Sequence, residues 1–100
     1  MIKKENKEMK TINLDFEKAD TKYVNLAILS HSQAEFIIDF ARILPGMVKP
    51  EVQERIIMTP IHAKLLLNAL IENVKKYEEK FGNISIPTGV EERMGMGFKS

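Results

Sequence analysis

Residues 11–16, TINLDF, place apolar Ile12, Leu14 and Phe16 between polar neighbours. That period of two predicts a strand with one buried face. The polar run EKADTK follows as a connection. Residues 23–30, YVNLAILS, are apolar at nearly every position: Val24, Leu26 and Ile28 fall on one side, Tyr23, Ala27 and Leu29 on the other. A strand apolar on both sides must be covered on both sides. HSQA then reads as a turn. Residues 35–43, EFIIDFARI, resume the alternation, with Phe36, Ile38 and Phe40 opposite Glu35, Ile37, Asp39 and Ala41. The same run also carries apolar residues at helical spacing. Its aromatic and β-branched composition, and the turn just upstream, favour a strand. The Pro-Gly segment LPGMVKPE is a loop, and residues 52–58, VQERIIM, form a further strand that Thr59-Pro60 ends.

At Pro60 the period changes from two to that of a helix. Thr59 is suited to cap the free amides of a first helical turn, and Pro is favoured at the first helical position. Ala63, Leu66, Leu67, Leu70, Val74, Tyr77 and Phe81 then form one continuous stripe. Gly82 is placed as the C-terminal cap, and Lys80 in the last turn complements the helix dipole. The spacing predicts a helix over Pro60–Phe81. Beyond it, NISIPTG reads as a short strand or an extended arm, and GVEERMGMGFKS has no period.

These elements predict an α+β domain at residues 11–82: an antiparallel β-meander of three to four strands followed by one long C-terminal α-helix. Residues 1–10 read as a disordered arm and residues 83–100 as a flexible tail. One helix covers one face of a small sheet, yet the central strands are apolar on both. A core of about 70 residues is marginal alone. A second copy burying the other face resolves both points, so the chain is expected to be a homodimer or a dimer of dimers.

Composition narrows the chemistry. With 15 basic and 14 acidic residues the net charge is +1, which gives bulk attraction to neither nucleic acid nor membrane. The chain has no cysteine, which excludes disulfides, thiol catalysis and thiolate metal sites, and suits a reducing cytoplasm. No apolar run reaches the ~20 residues of a membrane span. No apolar stretch follows the N-terminal lysines, so no secretion signal is expected. Phosphate-loop, dinucleotide-binding and HExxH signatures are all missing. His31 and His62 supply two imidazoles for a metal or an anion, but without a metal-binding spacing. Ser30, His31, Ser32 and Glu35 contain the parts of a hydrolase site, crowded into one turn where they do not converge. Asp39 and Arg42 interrupt an apolar strand and read as a buried ion pair, interface partners of Arg55, or solvated edge residues. No catalytic residue, metal site or cofactor is therefore assigned, and the chain is not expected to be an enzyme. The candidate binding residues are Arg55, His62, Lys64, His31, Glu35 and Asp39.

YVNLAILSHSQAEFIIDFARILPG followed by RIIMTPIHAKLLLNALIENVKKYEEKFG closely resembles the uncharacterised prokaryotic domain-of-unknown-function family 3467. The matching positions are Tyr23, Asn25, His31, Ser32, Glu35, Phe36, Asp39 and Phe40, then Arg55, Met58, Thr59, Pro60, His62, Ala63 and Lys64, and finally Tyr77, Glu78, Phe81 and Gly82. Gln33 departs from the pattern, where relatives often carry Pro. The resemblance implies no activity. It implies, through the genes beside some relatives, a role alongside RNA polymerase. The order of strands and helix is also similar to half of the export chaperone SecB, a likeness of fold alone. Three readings follow. The first is a homo-oligomeric protein- or peptide-binding module. The second is a nucleic-acid or polymerase-associated protein using the basic arm, Arg55 and Lys64. The third is a metal- or anion-binding protein using His31 and His62.

Overall fold

The computed structural model describes residues 12–87. Three strands form one antiparallel sheet in sequential order: β1 (Leu26–His31), β2 (Phe36–Arg42) and β3 (Glu51–Met58). One helix, α1 (Pro60–Phe81), ends the fold. The α+β class and the strands-then-helix order match the sequence pattern. The predicted arm at residues 1–10 and all but the first residues of the predicted tail lie outside the described residues. Residues 83–87 have no regular secondary structure.

The strand expected at residues 11–16 does not form where it is described. Residues 12–16 are neither paired nor buried, and Phe16 keeps 70% of its accessible surface. The Asp15 carboxylate accepts the Glu17 N–H at 3.0 Å, and the Ala19 N–H donates to the Phe16 carbonyl. These local bonds draw the chain into a turn. Alternation marks a strand only where an edge is there to pair with it.

β1 begins three residues later than expected, for a specific reason. The Asn25 N–H donates to the Ala41 carbonyl. Its side chain then does what the next backbone unit of a strand would do. Oδ1 accepts the Ile43 N–H at 2.9 Å and Nδ2 donates to the Ile43 carbonyl at 3.0 Å. Both Ile43 backbone groups are thereby satisfied in a part-buried place.

The register separates two faces. Ala27 opposes Phe40, Leu29 opposes Ile38 and His31 opposes Phe36, with Met58 and Ile56 beyond them on β3. The opposite face carries Leu26, Ile28 and Ser30 against Ala41, Asp39 and Ile37, with Ile57, Arg55 and Val52 on β3. Between Phe40 and Ala41 the register shifts, and Gln53 is the extra residue. Such a bulge increases the local twist. The β2–β3 loop closes on Pro45-Gly46, with Gly46 at φ +89° and the Met47 N–H donating to the Leu44 carbonyl. That is the glycine geometry of a type II turn.

α1 has the predicted bounds. Pro60 follows the capping Thr59, and Gly82 at φ +99° ends the helix with its N–H on the Glu78 carbonyl. The expected packing of its stripe is not found within the chain. No residue of α1 is buried. Among the described residues the hydrophobic core consists of Leu26, Ile38 and Ala41. Leu26 and Ala41 share one face and Ile38 lies on the other, so neither face holds a closed core.

Candidate functional site: an open apolar groove

α1 rises over the sheet face that carries Leu29 and Ile38 and leaves a groove of about 580 Å³. The sheet contributes Ala27, Leu29, Phe36, Ile38 and Phe40. The helix contributes Pro60, Ala63, Leu66, Leu67 and Leu70, with Lys64 beside them. A groove with this lining loses free energy for as long as it faces water, since each Å² of apolar surface removed is worth roughly 25 cal/mol. Further along α1, Leu67, Leu70, Ile71 and Val74 bound a second, shallower apolar patch flanked by Lys75 and Glu78.

Of the candidate residues, only Asp39 and Arg55 bond each other. They oppose one another across β2 and β3. Arg55 Nε donates to Asp39 Oδ1 at 2.7 Å, and Nη2 donates to Oδ2 at 3.0 Å. This fork geometry is among the stronger charge-assisted pairings. The bond from Arg55 holds the Asp39 carboxyl below its ordinary value of 3.8, against the desolvation that opposes it. The pair is lopsided in exposure, with 16% of the Asp39 side chain accessible and 64% of that of Arg55. Arg42, the other basic residue weighed for Asp39, bonds Glu51 instead. The Arg42 bond lowers the Glu51 carboxyl in its turn.

The remaining candidates are dispersed. His31 is the last residue of β1 rather than part of the turn, and its ring stacks on Phe36 with centroids 5.4 Å apart. Glu35 lies in the β1–β2 turn rather than in β2. Its carbonyl accepts the Ser32 N–H, and its own N–H reaches the Ser32 hydroxyl. Ser32 also accepts the Ala34 N–H. Ser32 of the crowded hydrolase-like cluster is therefore spent on holding that turn, and Ser30 lies in β1. His62 is engaged by the helix cap: Thr59 Oγ1 accepts the His62 backbone N–H at 3.2 Å and lies 2.7 Å from Nδ1. Lys64 stands at the groove. The candidates thus divide between the two sheet faces, the turn and the helix start. Among the described residues no group of three or more His, Asp or Glu is placed to hold a metal. No described helix is long and apolar enough to cross a membrane.

Sequence reasoning missed two features. Asn25 registers there only as an interruption of an apolar run, because its partner lies 18 residues ahead. The groove also escapes it, because a hydrophobic stripe looks the same whether its own chain covers it or not.

A small domain with its sheet first and one uncovered helix last, rich in open apolar surface, is the class this arrangement defines. The chain belongs to the family described as protein of unknown function (DUF3467), whose model matches residues 1–86. No curated protein and no solved structure matches it.

Proposed function

We propose that the protein is a non-enzymatic homo-oligomeric module, a dimer or a dimer of dimers, that holds a protein or peptide partner. The observation that carries this reading is a 22-residue helix with no buried residue standing beside an apolar groove. Packing of an apolar face supplies most of a protein helix's stability. The stripe therefore needs cover from outside the chain. Once one sheet face and α1 are closed by self-association, the other face remains for a partner. There, exposed Ile28, Ile57 and Val52 surround the Asp39–Arg55 pair. Exposed apolar side chains beside an arginine suit a protein or peptide ligand, since Arg is enriched at such interfaces.

Arg55 already spends its fork on Asp39, and His62 is engaged by Thr59. Both facts weigh against the nucleic-acid and metal readings. Light scattering on the eluting protein is expected to give two or four times the chain mass of 11.5 kDa. Ile57→Asp is expected to leave that mass unchanged while weakening capture of an apolar reporter peptide. A mass of 11.5 kDa refutes the oligomer. Unchanged peptide capture by the variant refutes the binding face.

A further inference from the structure

The apolar positions of α1 carry more information than their exposure. Ala63, Leu67, Leu70, Val74, Tyr77 and Phe81 succeed one another at alternating intervals of four and three residues. That is the 3.5-residue repeat of a coiled-coil seam, sustained along the helix. The seam is unoccupied within the chain. Its flanks are unequal. On one side stand Lys64, Ile71 and Glu78, and on the other Leu66, Asn73 and Lys80.

We infer that α1 pairs with α1 of a second copy as an antiparallel coiled coil. In its register Leu70 faces the partner's Val74, Leu67 faces the partner's Tyr77, and Ala63 faces the partner's Phe81. The inference deepens the homo-oligomer reading and rests on it. Two independent observations select this arrangement.

The first is charge. In an antiparallel pair, like flanks meet. Lys64 then lies opposite the partner's Glu78, the two-fold axis repeats the contact, and Ile71 meets its own copy near that axis. In a parallel pair, unlike flanks meet. Ile71 then faces Leu66 and Glu78 faces Asn73, and no opposite charges pair. Flanking charges of this kind set orientation and partner choice.

The second observation is the groove. Its helical wall ends at Leu70, so the C-terminal half of α1 has none of its own sheet in this lining. That half carries Tyr77 and Phe81, whose rings already pack at 5.0 Å. The antiparallel register brings this aromatic pair alongside the partner's Ala63 and Leu67, both of which line the groove. Each aromatic buries roughly 150–250 Å² when enclosed. The sheet's missing cover is thus the far end of the other copy's helix. A parallel pair leaves both aromatic ends beyond both grooves.

Because the native chain has no cysteine, each introduced thiol is unique. In the full-length protein, Ile71→Cys is expected to cross-link to its own copy with a bis-maleimide spanning about 8 Å, the scale of helix–helix separation. Leu67→Cys is not, since the register offsets the two copies of residue 67 by about 15 Å along the axis. Cross-linking at 67 but not at 71 indicates a parallel pair and overturns the inference. A dimeric mass with cross-linking at neither position indicates a different interface and also overturns it, leaving the homo-oligomer reading intact. A mass of 11.5 kDa removes both. The charge contact is tested separately by sedimentation. Glu78→Lys sets it against Lys64 twice per dimer and is expected to weaken association about tenfold. Adding Lys64→Glu is expected to restore it, and failure of that rescue refutes the Lys64–Glu78 contact.

Discussion

Asn25 and Asp39 both bond within the small sheet, and their loss acts in different ways. Asn25→Ala strips partners from the N–H and the carbonyl of Ile43 at once. A loss of about 1–3 kcal/mol is expected for leaving buried polar groups unsatisfied, read as a lower urea midpoint at unchanged slope. Asp39 is a pH matter. Its carboxyl is lowered in the folded state by Arg55, so the pair's contribution is complete above the ordinary value of 3.8. It is lost as pH falls through the lowered folded value. Glu51, lowered by Arg42, has the same sign. Wild type should therefore lose stability on acidification below about pH 4, and Asp39→Asn should flatten the fall in thermal midpoint over that range. The sequence shows that an acid interrupts the apolar β2 and that Arg42 and Arg55 are both near enough to matter. Which of them it binds depends on the pairing of β2 with β3, and a one-residue slip would move every side chain to the other face.

At the scale of elements, legibility follows how local each signal is. The bounds of α1 can be read directly because Thr59, Pro60 and Gly82 act on the backbone within one turn of themselves. The three long strands are found because their composition and turns are local too. Residues 12–16 mislead because pairing is not local: their alternation lacks an edge, and Asp15 offers the chain a turn instead. The open stripe of α1 misleads in a related way, since period reports which face is apolar and not what lies against it. Leu70 tests the point. It is 57% exposed within the chain, so Leu70→Lys in a monomer should change stability by no more than about 0.5 kcal/mol. In the paired helix it places a charge in the seam. Sedimentation is expected to show dissociation toward the 11.5 kDa chain mass, with loss of helical circular dichroism.

For the whole molecule, the proposed self-association would make folding and association one equilibrium. Among the described residues three buried apolar side chains are too few for an independent core, so the native state should draw on contacts between copies. Its thermal midpoint should then rise with protein concentration. A midpoint constant over a hundredfold dilution would show that the monomer is self-sufficient. The candidate residues gather no reactive cluster among the described residues, and the groove beside α1 is lined almost wholly by apolar side chains. That distribution suits a protein that works by what it stands against.

Thr59 is the only residue between β3 and α1, at φ −73° and ψ +161°. Those two torsions set the direction in which α1 leaves the sheet. One alanine inserted early in α1 would turn every later side chain by about 100°. The apolar seam would then point in a different direction with its composition intact. The positions of Tyr77 and Phe81 in space are therefore set in part at residue 59, one helix away.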